Sequence, residues 1–365
     1  MTGRLPYHGG HSGLSGGGKG LAEGFPIPSL DHITLLNVRL HLKAGRTQLK
    51  SRRRPYTVRR NLSAALKNSI CAFSPSLSCF KCVLAENCPY TRILLPAASM
   101  GSRGRPAPRP VIFRPGPAGE GVDTALRTTW DLIVVGTGWK YLKYILRTLS
   151  GRCPGRDQCC GLWGVQGSWE LQQAMLVHPQ GKMPLDLSPI HGQNLPAPAA
   201  NSSRPLATVP PHMIIWGNTL AVAPPKVQGK TPAGERGILR LHFKTRTRLK
   251  RRGRYLTRPP QFSWLVRHLL RRTAALSAWY AGRSLTIDWH RLMEEAAKVQ
   301  LVDHDLRWSR WGRSPSRVMY RSGFTGSVYY QGPWQPFSSL LALGTYVHVG
   351  QGTTFGGGQF TAQVE

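Results

Sequence analysis

Acidic side chains are scarce in this chain: 16 Asp and Glu stand against 49 Lys and Arg over 365 residues, a formal net charge of +33. A compact domain with that excess repels itself unless a polyanion or an anionic membrane neutralises it. Nucleic acid, RNA before DNA, is therefore the expected partner. Long apolar runs are absent too. A bilayer-spanning helix needs roughly 18 or more apolar residues in succession, and no such stretch occurs. The opening MTGRLPYHGGHSGLSGGGKG puts glycine where a signal peptide needs its apolar segment, and no lipid-anchor motif adjoins the arginine clusters. These absences argue against a membrane or secreted protein and make the cytoplasm the expected compartment.

What is present suffices for two ordinary domains: 41% hydrophobic residues over this length support proper cores, while 40 Gly and 29 Pro require some unstructured segments. Residues 1–29 read as a flexible glycine-rich tail. Residues 31–43 alternate Val38, Leu40 and Leu42 against Arg39, His41 and Lys43, a strand pattern. Residues 61–71 read as a helix with Asn61 as its cap. Strands are expected at 109–114, 126–135 and 169–177, and a helix at 138–149, with Trp139, Leu142, Ile145 and Leu149 at helical spacing. The order is β-α-β-β-α-β, the split ferredoxin-like motif. Residues 190–232, rich in Pro, Ala, Asn and Gly, read as a linker or surface excursion. The same order then recurs: a strand at 237–250, a helix at 260–280, strands at 299–309 and 318–332, a helix at 333–347 and a short strand at 359–362. The expected fold is α+β, tandem ferredoxin-like (RRM-like) domains at 30–189 and 233–365 with a C-terminal glycine-rich loop. Such a fold does not decide function.

Seven cysteines are an odd number for a disulfide framework, and they fall into two close groups. Cys71, Cys79, Cys82 and Cys88 have the spacing C-x7-C-x2-C-x5-C; Cys153, Cys159 and Cys160 form the other group. Four thiolates can hold Zn²⁺ tetrahedrally or ligate an Fe–S cluster, and close thiols also occur simply reduced and packed. Either metal would be structural, tying the first helix to the next strand.

The sharpest local pattern is VHVGQGTTFGGGQF, residues 347–360, with Gly350, Gly352, Gly356 and Gly358. Glycines so spaced permit positive φ and let backbone N–H groups face a phosphate; a tight turn with no ligand is the plainer reading. The dinucleotide fingerprint does not fit, since the loop does not open a helix after a parallel strand, and the P-loop does not fit, since no terminal Lys-Ser/Thr follows the glycines. His348 has two readings: contact with phosphate or proton transfer, or packing beneath the loop to hold its shape. Two basic clusters fit phosphate tracking on RNA, with a solvated loop as the alternative. The first is Arg52, Arg53, Arg54, Arg59 and Arg60; the second is Arg246, Arg248, Lys250, Arg251, Arg252 and Arg254. In the second, TRTRLKRRGRYLTR reads as a projecting hairpin turned at Gly253, with Tyr255 placed to stack on an unpaired base.

Three segments in this order resemble the Cas6 family of CRISPR RNA-processing proteins. They are GFTGSVYYQG with PFSSLLALGTYVHVGQGTTFGGGQF, then LRLHFKTRTRLK with FSWLVRHLLRRTAALSAWYAG, and SLSCFKCVLAENCPYTRILL. The resemblance covers most of residues 31–362. It implies recognition of the repeat in precursor CRISPR RNA and cleavage with the 2′-OH as nucleophile. Such cleavage needs no catalytic cofactor and leaves a 5′-hydroxyl and a 2′,3′-cyclic phosphate. It also implies retention of the guide and association with other Cas subunits. Two departures stand out: Gln351 occupies a position where the family often has Lys, and the first-helix region, RRRPYTVRRNLSAALKNSI, contains no His. His32, His41 and Tyr56 are the remaining candidates for proton transfer beside His348. A guide-binding subunit that does not cleave is the rival expectation.

Overall fold

The computed structural model describes residues 27–44, 55–73, 76–96, 107–116, 127–150, 169–178, 181–185, 187, 237–309 and 323–365. The first half contains strand β1 (Leu35–Ala44), helix α1 (Pro55–Ile70), helix α2 (Pro89–Leu94), strands β2 (Val111–Pro115) and β3 (Arg127–Val135), helix α3 (Leu142–Leu149), and strands β4 (Trp169–His178) and β5 (Gly181–Pro184). The second contains β6 (Leu239–Thr247), β7 (Lys250–Arg251), β8 (Arg254–Tyr255), helix α4 (Phe262–Tyr280), helix α5 (Trp289–Ala297), β9 (Gln300–Ser309), β10 (Gly323–Gln331), helix α6 (Ser338–Val347) and β11 (Phe360–Val364). It is a mixed fold of helices on antiparallel sheets, ordered β2-β3-β1-β4-β5 and β11-β6-β10-β9. In each sheet, counting only that sheet's strands in chain order, the first lies between the third and the fourth. Among the described residues no helix is long and apolar enough to cross a membrane.

Period-two alternation sets the first sheet. Leu36, Val38, Leu40 and Leu42 of β1 face Leu62 and Leu66 of α1 and Ile145 and Leu149 of α3 in one buried cluster. In the second half, Leu239, Leu241 and Phe243 of β6 pack with Val328 and Tyr330 of β10 under α4, whose Phe262, Leu265, Val266, Leu269 and Leu270 are wholly buried. The Tyr330 hydroxyl donates to the Pro260 carbonyl at 2.7 Å, so this core phenol is not an orphan donor.

Several boundaries differ from the sequence expectation. The first helix begins at Pro55, so Asn61 lies inside it rather than capping it; proline's fixed φ suits the first helical position. The 138–149 helix starts only at Leu142, after a 3-10 turn over Gly136–Tyr141. The 333–347 helix likewise starts at Ser338 after a 3-10 turn. Helix α5 was not anticipated, yet Asp288 caps it by accepting from the Arg291 N–H at 3.1 Å. Residues 1–26 of the expected 1–29 tail and all of the expected 190–232 linker lie outside the described residues.

The two halves share their packing. The second face of the first sheet contributes Leu35, Ile112, Ile133 and Val135 to the second half's core, while Phe355 of the glycine-rich loop enters the first half's core. Its ring stacks on Phe113 at 6.3 Å with 9° between planes. On that same face, strand register sets Asp131 of β3 directly between Arg39 of β1 and Arg114 of β2. Arg39 is paired to Asp131 at 2.8 Å and Arg114 at 3.4 Å. Arg114 also donates to the Thr345 carbonyl at 3.2 Å and covers the Tyr346 ring at 5.6 Å. Asp131 and Arg39 are 1% and 4% exposed, so removing the carboxylate takes from a buried guanidinium its ion-pair partner at 2.8 Å. Asp131→Ala is expected to lower unfolding stability by about 3–5 kcal/mol, read from denaturant titration. A loss under about 1 kcal/mol would mean that solvent or relaxation already compensates Arg39.

Candidate nucleic-acid interface

Strand β6 runs out of the core into a basic hairpin. Strands β7 and β8 pair Lys250 with Tyr255 and Arg251 with Arg254, and the turn is Arg252–Gly253, both at positive φ, 48° and 79°. Two left-handed central residues make the tight turn that matches strand twist, and glycine accepts this conformation without strain. Lys250, Arg251, Arg252 and Arg254 are exposed. The hairpin is braced: Arg251 lies over the Trp264 ring of α4 at 4.1 Å, and His268 contacts the Lys250 carbonyl at 2.9 Å. Tyr255 is covered by Lys250 at 4.9 Å and Arg248 at 6.0 Å. Its hydroxyl donates to Gln351 Oε1 at 2.8 Å. The ring expected to stack on a base is thus already engaged by two cations and tied to the glycine-rich loop.

That loop spends most of its backbone donors internally. The N–H groups of Gln351 and Gly358 bond the carbonyls of Arg248 and Arg246, at 3.0 and 3.1 Å, and those of Val349 and Gly357 bond Gly358 and Gly352. Thr245 Oγ1 donates to the Gly356 carbonyl at 2.6 Å. Gly356 and Gly358 are buried: a Cβ at Gly356 would sit 3.0 Å from the Phe113 carbonyl, and one at Gly358 would collide with the Val349 carbonyl. A Cβ at Gly350 would likewise strike the Arg248 carbonyl. These three positions serve the loop's own packing, which corrects the expectation that all four glycines meet RNA. Gly352 alone among them is exposed, with only the Arg248 guanidinium nearby, 3.4 Å from where a Cβ would stand. Arg246 and Arg248 lie along Gly323, their side-chain stems packed over it. Burial, with Arg248 beside it, lowers Arg246 from the usual guanidinium range. The result is a rigid surface of six cations flanking one exposed glycine turn, with Gln351 beneath.

His348 belongs to the packing reading. It ends α6 at φ 62° and is 0% exposed. Burial pushes its pKa well below the ordinary value, with Arg114 and Arg272 adding to the effect and the Gly357 backbone opposing it. Neither ring nitrogen makes a well-formed hydrogen bond. A neutral ring with no exposed surface does not touch a phosphate, so the phosphate or catalytic role expected for His348 is not borne by this geometry. Beside it, Arg272 donates from Nε to the Val347 carbonyl at 2.7 Å, and burial brings its pKa to about 10.

The other candidates are scattered. His32 lies at the seam, its Nε2 2.6 Å from Ser277 Oγ. Because that hydroxyl donates to the Arg283 carbonyl, the imidazole must be the donor, and His32 acts as a brace. His41 is partly exposed on β1, opposite Thr129 and Gln173. Tyr56, Arg59 and Arg60 fall in the first turns of α1, the helix whose Leu62 and Leu66 join Phe355 in one core. The helix-one segment and the glycine-rich loop therefore meet. Arg52, Arg53 and Arg54 lie outside the described residues.

Cys71, Cys79, Cys82 and Cys88 are free and partly accessible. Burial and the neighbouring thiols of Cys88, Cys71 and Cys82 raise the Cys79 pKa, while Lys67 opposes them. The four are neighbours, yet among the described residues no group of three or more His, Cys, Asp or Glu side chains could hold a metal ion. The spacing suggested a tetrahedral set that the fold does not assemble. Cys71 ends α1 and Cys88 begins α2, so two separate helices fix the outer thiols.

The basic hairpin that continues from β6 of the second sheet carries the kind of charge that suits a polyanion. The comparisons carry this further. A family model for the CRISPR-associated endoribonuclease Cas6 matches residues 241–360, and a model described as an N-terminal domain matches residues 33–194. It is the C-terminal third of the chain, residues 241–360, that matches the Cas6 model. Among solved structures, it is similar to a Cas6 product complex at 16% identity, covering 90% of this chain and 99% of that one, with TM-score 0.49. Thermus thermophilus Cas6 is also 16% identical, with 90% and 98% covered and TM-score 0.47. A partial Cas6-RT-Cas1–Cas2 complex is 13% identical, with 93% of this chain and 47% of that one covered and TM-score 0.49. No curated protein matches.

The burial of His348 has a consequence in pH. Its folded pKa is depressed, so below about pH 6.5 the unfolded chain takes up a proton that the folded chain refuses. Stability conferred with a neutral ring is complete above that pH and is lost as pH falls toward the folded value. Against His348→Gln, the wild type is expected to lose up to about 1.4 kcal/mol per pH unit below 6.5, measured by denaturant titration at pH 7, 6 and 5. A pH-independent difference between the two proteins would show that the ring is not held neutral.

Proposed function

We propose that this chain binds the repeat portion of precursor CRISPR RNA, cuts it to mature guides without a metal, and retains the product. In this reading the chain is a pair of ferredoxin-like domains, residues 30–189 and 233–365, the second ending in the glycine-rich loop. The repeated placement of the first strand between the third and fourth supports that description. One observation carries the functional reading: the exposed hairpin cations and the exposed Gly352 form one braced surface, joined by the Tyr255–Gln351 bond. Preordered cations bind phosphate without first losing side-chain entropy, and their arrangement fixes the register of the strand.

The reaction requires four changes. The 2′-oxygen attacks the adjacent phosphorus as its proton passes to a base. The bond from phosphorus to the 5′-oxygen breaks, and a proton is delivered to that oxygen. The products are a 2′,3′-cyclic phosphate and a 5′-hydroxyl. Guanidinium groups stabilise the phosphorane charge but are poor proton acceptors at neutral pH. His41 and Tyr56 are the proposed proton-transfer groups, His348 being sealed in the core. Other Cas subunits and the cytoplasm are the proposed setting.

A second reading, guide binding without cleavage, is favoured by two specific observations. His348 is buried, and Gln351, at a position where the family often has Lys, holds Tyr255 instead of offering an ammonium. One assay separates the two. Repeat RNA, incubated with excess protein in EDTA, is expected to give the cyclic phosphate and a 5′-hydroxyl fragment, with H41A losing at least about 100-fold in single-turnover rate. Tight binding without product establishes the second reading, and absence of binding discards both. The R251A/R252A/R254A variant is expected to weaken binding and to flatten its salt slope by about two to three units. An unchanged slope in the folded variant removes the hairpin from the interface.

A further inference from the structure

A cavity of about 170 Å³ opens at the seam between the halves, at the C-terminal end of α4. Its walls combine two cations, Arg92 and Lys140, with three aromatic rings, Tyr141, Trp279 and Tyr280, and Thr137. Among the described residues no carboxylate lines it. We infer that this cavity binds one unpaired nucleotide of the RNA, its base stacked on Trp279 and its phosphate held by Arg92 and Lys140. The inference rests on the RNA-binding reading and adds to it a second contact point built on different elements from the hairpin.

The cavity is built, not incidental. Trp279 is 42% exposed on a helix whose other large apolar side chains are packed, and it makes no hydrogen bond or ring contact among the described residues. Lys140, exposed, has no ion pair among them. An exposed indole beside unneutralised cations offers what a nucleotide needs: an apolar face for the base and positive charge for the phosphate. The remaining wall is fixed. The Tyr280 hydroxyl donates to the Pro108 carbonyl at 2.6 Å, and Arg92 Nε donates to the Glu86 carbonyl at 2.6 Å. Gly136 lies so close to the end of α4 that a Cβ there would collide with the Tyr280 carbonyl. Burial raises the pKa of both phenols and Arg92 opposes it at each, consistent with a guanidinium facing the rings. Both phenols stay protonated and add no negative charge to repel phosphate.

A base with an attached phosphate can come from RNA or from a free nucleotide, and the test separates them. The full-length protein is titrated with cognate repeat RNA and, separately, with AMP and UMP. Trp279→Ala is expected to raise the Kd for repeat RNA by about 5- to 150-fold, the range of one base–aromatic stack, and Trp279→Phe to restore most of it. Lys140→Ala is expected to make the salt slope shallower by about one. Repeat RNA carrying 4-thiouridine in its unpaired positions is expected to cross-link to the peptide holding Trp279. Unchanged affinity in folded W279A together with an unchanged slope in K140A overturns the pocket while leaving RNA binding intact. Should W279A not fold, the W279F affinity, the K140A slope and the cross-link decide by the same criteria. Trp279-dependent binding of AMP or UMP without any such effect on RNA overturns the RNA source. Wild type that binds no repeat RNA overturns this inference and the functional reading together.

Discussion

Asp131 lies at the centre of the first sheet's second face, between two guanidinium groups. Burying a carboxylate there is tolerable only because strand register delivers Arg39 from one side and Arg114 from the other. The arrangement reaches beyond the sheet. Arg114 also holds the Thr345 carbonyl and covers Tyr346, which are residues of the last turns of α6. The direction in which α6 ends determines where the chain leaves at His348, and so where the glycine-rich loop begins. A charge balance in one half therefore positions the functional loop of the other.

The loop is held from both sides. Phe355 stacks on Phe113 in the first core, while the carbonyls of Arg246 and Arg248 receive loop N–H groups from the second. Those same two arginines begin the basic surface. The side chains proposed to meet phosphate and the backbone that shapes the loop thus share one strand end, and a shift in either half moves both. At three of the four motif positions a Cβ would press on backbone atoms: the motif is mostly a packing device, and it exposes one turn.

Much of the architecture was legible because it rests on local rules. Alternation along β1 and β6, and the spacing of Phe262, Leu265, Val266, Leu269 and Leu270, report burial directly. The hairpin was legible too, since Arg252–Gly253 between basic residues demands a two-residue turn. What escaped was whatever depends on residues distant in sequence. His348 looked available because two glycines follow it; it is buried, and the two guanidinium groups that further disfavour its charged form, Arg114 and Arg272, lie 234 and 76 positions away. Tyr255 looked free to stack, and only the folded chain brings Gln351 to its hydroxyl. The cysteine spacing suggested a metal, but whether four thiols converge depends on where two helices end. The seam cavity had no sequence signal at all, because its walls come from α2, the turn before α3 and α4.

The scarcity of acid takes on a structural meaning once the acids are located. Asp131 is spent on the buried Arg39 and the part-buried Arg114, Glu365 on Arg240 at 2.9 Å, and Glu295 on Lys298 at 2.7 Å. Asp303 and Asp305 lie exposed on β9, an edge strand. None stands among the hairpin residues 250–255, the loop residues 348–358 or the lining of the seam cavity. A cation without a carboxylate beside it keeps its full field for a partner, and the sum of such fields steers a polyanion before contact. Excess charge alone would make the chain sticky toward any nucleic acid. Two acid-free sites at fixed separation do more, because only an RNA able to present backbone to one and an unpaired base to the other gains from both. In the proposed reading, selectivity would follow from the packing that holds the seam, to which the Asp131 ion pairs and the Arg114 contacts with α6 contribute.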